Sequence, residues 1–126
     1  VMKALSIRQP FAFLIAHGFK SLENRSWTTK YRGPLLIHAS KAFDKDGYQW
    51  VCDNFPEIET PSPEQFERGG IVGVAEVWDV VTASSSPWFF GPHGLCLREA
   101  KPLPFVPMKG RLGLFGVAGE MVVVDV

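Results

Sequence analysis

Lys20, Glu23 and Arg25 fall close together in Gly18-Phe19-Lys20-Ser21-Leu22-Glu23-Asn24-Arg25-Ser26-Trp27. An ammonium, a carboxylate and a guanidinium at that spacing can polarise a carbonyl, activate a water or grip a phosphate. The same residues could instead form a solvated strand edge, with an ion pair worth under about 1 kcal/mol. If the segment is extended, Ser21, Glu23 and Arg25 share one face and Lys20 and Leu22 the other. A bulge at the strand start would swing Lys20 to the charged side.

Three further groups could carry chemistry. Tyr31-Arg32-Gly33-Pro34 leads into an apolar run ending His38-Ala39-Ser40-Lys41. Polar residues at the end of a buried strand often line a pocket, although a lone histidine is also a common satisfied core group. Glu76 alternates with Val72 and Val74 and so shares their face. A carboxylate among valines needs a partner, and Lys20 or Arg25 could supply it, unless that face is the solvated exterior. Trp88-Phe89-Phe90-Gly91 is an aromatic loop. Its rings could stack on bases, with Trp88 and then Trp27 as the candidates, or could cap the core.

The elements that must position these groups can be read in outline. Met2 to Arg8 alternates, with Leu5 and Ile7 on one face and Ser6 and Arg8 on the other, which predicts a strand. Pro10 suits the first turn of a helix over Phe11 to His17, and Gly18 its stop. Lys20 to Trp27 is expected to be extended. Leu35 to Ser40 reads as a strand buried on both faces. Asp44 to Cys52 reads as a second helix, and a helical turn is expected within Pro63 to Arg68. Ile71 to Val81, rich in valine, is the clearest strand. Gly94 to Glu99 is another strand, Pro102 to Pro107 an extended edge, Gly110 to Gly116 a turn, and Met121 to Val126 a last strand. About six short strands with few helices point to a small curled sheet or barrel.

Composition narrows the function classes. With 126 residues, 46% of them hydrophobic, the chain can bury one core. Thirteen basic residues balance 13 acidic ones. That neutrality argues against coating nucleic acid non-specifically and leaves room for a local basic cleft that reads one nucleotide or a small ligand. Two cysteines, Cys52 and Cys96, are too few for a disulfide scaffold or a zinc site and read as buried thiols. No apolar run approaches the ~18 residues of a membrane span, and no secretory leader is evident, so cytoplasm is the expected location. Phosphate-loop, dinucleotide and Gly-x-Ser-x-Gly signatures are missing from the sequence, and His17, His38 and His93 lack metal-ligand spacing. A site without metal or cofactor is expected.

Leu5-Ser6-Ile7-Arg8-Gln9-Pro10, Gly18-x-Lys20-x-x-Glu23-x-Arg25 and Tyr31-Arg32-Gly33-Pro34-Leu35-Leu36-Ile37-His38-Ala39-Ser40-Lys41, in that order, resemble the ASCH family. Ser86-Pro87-Trp88-Phe89 and Gly110-x-x-Gly113-Leu114-Phe115 extend the resemblance over nearly the whole chain. It implies one PUA-like domain over residues 1–126, an α+β, mainly β fold: a small mixed barrel of about six strands with two or three short helices. It also implies nucleobase or RNA work. Some members resemble amidohydrolases that deacylate N(4)-acetylcytidine with a lysine, a threonine and a glutamate. Lys20 and Glu76 match the first and last, and Glu23 occupies the threonine position. The catalytic set is then Lys20, Glu23 and Glu76, with Lys20 stabilising an oxyanion and a glutamate acting as base. Arg25 and Arg32 would hold a phosphate or base edge, and Tyr31 and Trp88 would stack or close the cleft. Ser26, Trp27, His38 and Ser40 complete the expected substrate contacts. The alternatives are a non-catalytic reader of RNA or modified nucleotides, a ribonuclease, and a protein-interaction module. The expected partner is a modified nucleoside or single-stranded RNA, and the expected state a monomer or weak dimer.

Overall fold

The computed structural model describes residues 2–118. The chain runs β1 (Met2–Gln9), α1 (Phe11–Ala16), β2 (Leu22–Arg25), β3 (Gly33–Phe43), α2 (Lys45–Asn54), a 3-10 turn (Pro63–Gln65), β4 (Gly70–Val81), β5 (His93–Pro107) and β6 (Leu114–Val117). All six strands form one mixed sheet in the order β2-β5-β4-β3-β1-β6. Among the described residues only β1 and β3 run parallel; every other pairing is antiparallel. The expected small mixed fold with short helices is what the chain builds. Its ladder does not close into a barrel among the described residues, since β2 and β6 remain its edges.

Alternation along β1 and β3 supplies both cores. Leu5, Ile7, Leu35, Ile37 and Ala39 face one side and pack with Ala12 and Ile15 of α1. Ala4 and Leu36 face the other and pack with Ile71, Val74 and Phe115. Such two-sided burial explains the near-continuous apolar run of β3.

Helix α1 is short and tightly bounded. The Gln9 side chain accepts from Phe13 N at 2.8 Å and caps the first turn. Gly18, at φ +81°, ends it in the left-handed region, and Phe19 N donates back to Leu14 O at 2.8 Å. In α2 the Asp44 carboxylate accepts from Gly47 N at 2.8 Å, as an N-cap should. Among the described residues no helix is long and apolar enough to cross a membrane.

Two expectations shift. Pro102 to Pro107 is part of β5, paired with Gly70–Gly73 of β4. Beyond Cys96, β5 has no pairing with β2, so proline's missing N–H is tolerated on its free side. Leu114–Val117, read as the end of a turn, is the edge strand β6 beside β1. The strand expected at Met121 to Val126 lies outside the described residues.

Candidate functional site

Parallel pairing puts Ser6 opposite His38 on neighbouring strands. Both side chains lie on the face that begins with Ala4 and Leu36, and Arg8 and Ser40 continue it toward the strand ends. An apolar face thus turns polar along its length. The segment 107–113, running from the last residue of β5 to the start of β6, folds over that polar end and borders an open cleft of about 920 Å³.

Five cations line the cleft: Arg8, Arg25, Lys41, Lys109 and Arg111. None of the described residues lining it is acidic. Arg8, Lys41, Lys109 and Arg111 form no ion pair among the described residues. Leu112, 99% exposed, stands at the lip.

Arg25 reaches the cleft from the β2 edge. Its Nη2 donates to Ser6 O at 2.9 Å, so a side chain joins the outer strand β2 to β1 where no ladder does. Behind it, Arg25 Nε and Nη2 donate to Glu23 Oε2 at 3.2 and 3.0 Å. Lys20 Nζ donates to Glu23 Oε1 at 2.9 Å and also to Leu22 O, and lies 5.4 Å from the Phe11 ring centroid. Lys20 and Glu23 are 4% and 8% exposed. The signature Lys20-x-x-Glu23-x-Arg25 is therefore a buried relay of charge that aims one guanidinium at the cleft, and neither Lys20 nor Glu23 lines it.

At the floor, His38 Nε2 lies 2.6 Å from Met108 O, and Nδ1 lies 2.9 Å from Ser6 Oγ. A carbonyl only accepts, so Nε2 carries the proton. In the neutral ring Nδ1 then accepts from the Ser6 hydroxyl. His38 is 2% exposed.

Of the expected site residues, the cleft brings together Arg25, His38 and Ser40. The others sit elsewhere. Glu76 accepts from Arg98 Nε at 2.7 Å on the solvated side, so its expected partnership with Lys20 or Arg25 is replaced by a neighbour on β5. That hydrogen bond raises the Arg98 guanidinium above its ordinary value. Trp88, 5% exposed, stacks on Phe55 at 4.3 Å and 11°. Its ring faces are taken up by the core, which removes it as a base-stacking platform. Trp27 and Tyr31 pack partly buried against the core on the α1 side. The Tyr31 hydroxyl donates to Pro34 O, and burial pushes its phenol above the usual range. Arg32, exposed, lies 3.8 Å from Asp79, and Ser26 is exposed; neither lines the cleft.

Sequence reasoning missed Ser6, Arg8, Lys41, Lys109 and Arg111 as site residues. The polar face of β1 held a signal for the first two, and the basic, glycine-spaced Lys109-Gly110-Arg111 for the last two.

The ASCH domain profile matches residues 5–109, and the chain belongs to that family. The crystal structure of ASCH from Zymomonas mobilis is similar at 14% identity and TM-score 0.60, covering 95% of this chain and 90% of that one. Two single-substitution variants of the Zymomonas protein are similar at 15% identity, with TM-scores of 0.59 and 0.58. Each covers 95% of this chain, and the shares of the variants covered are 92% and 90%. At that identity the likeness speaks for the PUA-like fold alone. No curated protein matches the chain.

Proposed function

We propose that the cleft binds a phosphate-bearing nucleotide, in single-stranded RNA or in a modified nucleotide. One observation carries this reading: five cations and, among the described residues, no acid converge on one concavity of a chain whose net charge is zero. A neutral protein with one cationic cleft attracts an anion locally, without a general affinity for polyanions. Arg8 and Arg111 can fork onto phosphate oxygens, Arg25 can offer its remaining Nη1, and Lys41 and Lys109 act as point charges. Titrating a short fluorescent single-stranded RNA by anisotropy tests this. Binding that weakens with added salt and with Arg111→Ala supports it; binding indifferent to both contradicts it.

Deacylation of an N(4)-acylated cytidine by Lys20, Glu23 and Glu76 has less support. The Lys20 ammonium is bound to Glu23 beneath the surface, and Glu76 is engaged with Arg98.

A further inference from the structure

A second concavity shares no lining residue with the cationic cleft. Phe11, Asp44, Asp46, Gly47, Trp50 and Phe90 line about 350 Å³ at the start of α2. We propose that it binds an arginine side chain of a partner protein, the guanidinium lying against Trp50 and Phe90 and donating to Asp46.

The core does not account for Phe90. Its side chain is 67% exposed, whereas Trp88 is 5% exposed. The Phe90 ring stands 5.4 Å from the Trp50 ring at 73°. Its backbone is fixed at both sides. Asn24 Oδ1 accepts from Phe90 N at 2.8 Å and from Gly91 N at 3.0 Å, and Asn24 Nδ2 donates to Trp88 O at 2.9 Å. The backbone of this loop is scaffold, and it holds an apolar ring out in water. Gly47 keeps the other side of the concavity clear. A Cβ there would lie 2.6 Å from Phe11 Cε2 and 2.8 Å from the Asp44 carboxylate, so a side chain would force the ring aside. Glycine weakens a helix, yet α2 carries it in its first turn.

Charge selects the occupant. Asp44 and Asp46 form no ion pair among the described residues. None of the described residues lining the concavity is basic; Lys45, between the two acids in sequence, is exposed and does not line it. The helix explains part of their presence, since Asp44 caps it and Asp46 sits in its first turn. A helix N-terminus offers only about half a unit of positive charge against two carboxylates, so the local balance stays negative and repels phosphate. A guanidinium fits this surface better than an ammonium. It is planar and weakly hydrated, stacks on aromatic faces, and donates in its plane to a carboxylate. The Phe11 ring already has the Lys20 ammonium 5.4 Å from its centroid, which leaves Trp50 and Phe90 for the ligand.

The whole isotope-labelled protein is titrated with acetyl-Gly-Arg-Gly-amide, and amide and Trp indole NMR shifts are followed. The same peptide with lysine, and with neutral citrulline, in place of arginine serves as comparison. Saturable shifts should centre on Phe11, Asp44 to Trp50 and Phe90, and should weaken with added salt. The lysine and citrulline peptides should each bind less tightly by about 3-fold or more. Phe90→Ala and Asp46→Asn, both at exposed side chains, should each weaken the arginine peptide by about 3-fold or more at unchanged melting temperature. RNA binding should be the same in both variants as in the wild type. Equal binding of the citrulline peptide would reduce the site to an apolar groove and overturn the proposal. Equal binding of the lysine peptide would overturn the guanidinium assignment. Wild-type affinity in both variants, or no shifts at these residues, would sink the site. Shifts at the same residues on raising the protein concentration alone would make a second copy of the chain the occupant, and shifts there with single-stranded RNA a nucleic acid; either contradicts a partner's arginine.

Discussion

The molecule has an aromatic end and a cationic end, and they treat their side chains in opposite ways. At the first, Trp50, Phe55 and Trp88 pack ring on ring between α2 and the segment after β4, with ring centroids 4.3 to 5.9 Å apart. Asn24 fastens that segment to β2, donating to Trp88 O and accepting from Phe90 N and Gly91 N. At the second, four of five cations stand without ion-pair partners among the described residues around an open cleft. Aromatic area satisfies itself by burial, whereas like charges satisfied by water alone remain available to an anion. The aromatic loop, attractive as a base-stacking surface in sequence, belongs to the scaffold. The glycine-spaced loop that read as a mere turn belongs to the site.

Mutation can put this contrast at risk. The strongest response is expected at the relay that links the two ends. Glu23→Ala leaves the Lys20 ammonium buried without its carboxylate, and should cost about 3–5 kcal/mol in denaturant unfolding. A loss under about 1 kcal/mol would show that Lys20 escapes to water. Trp88→Ala should also destabilise, by about 3–5 kcal/mol, while the protein that remains folded keeps its RNA affinity. Weakened binding at unchanged stability would make the aromatic end the interface.

Milder changes bear on the same contrast. Glu76→Gln should leave RNA affinity and melting temperature unchanged, because its partner Arg98 is solvated. An affinity change there would restore Glu76 to the site. The least disruptive probe is alkylation of the native protein. Burial raises the Cys96 thiol above its ordinary value; Asp79 adds to the shift and Arg32 opposes it. With less thiolate at neutral pH, Cys96 should label more slowly than half-buried Cys52, and raising the pH should speed it. Faster labelling of Cys96 would mean that the aromatic end opens.

Much of the fold was legible. β1, β3, β4 and both helices follow from alternation, apolar runs, a proline start and a glycine stop. The extension of β5 through Pro102 and Pro104 was not, because proline's tolerance there depends on a neighbour missing from one side. The site was legible in part. Arg25, His38 and Ser40 were named, but Ser6, Arg8 and the loop cations join them only through the parallel β1–β3 pairing and the path of segment 107–113. Both are long-range facts that no local pattern encodes. Glu76 was expected on one face with Val72 and Val74, but irregular register along β4 puts Val72 in one core and Val74 in the other, and only strand order supplies Arg98 as the neighbour of Glu76 on the solvated side.

Whether the cleft cations bind nucleotide phosphates is decided by the salt dependence of single-stranded RNA binding. It is measured for the wild type and for a double variant, Lys109→Ala with Arg111→Ala. Phosphate binding in the cleft predicts weaker affinity in the double variant. It also predicts a log–log salt slope shallower by about 0.7 for each phosphate no longer neutralised. Equal affinity and an unchanged slope in the two proteins would contradict it.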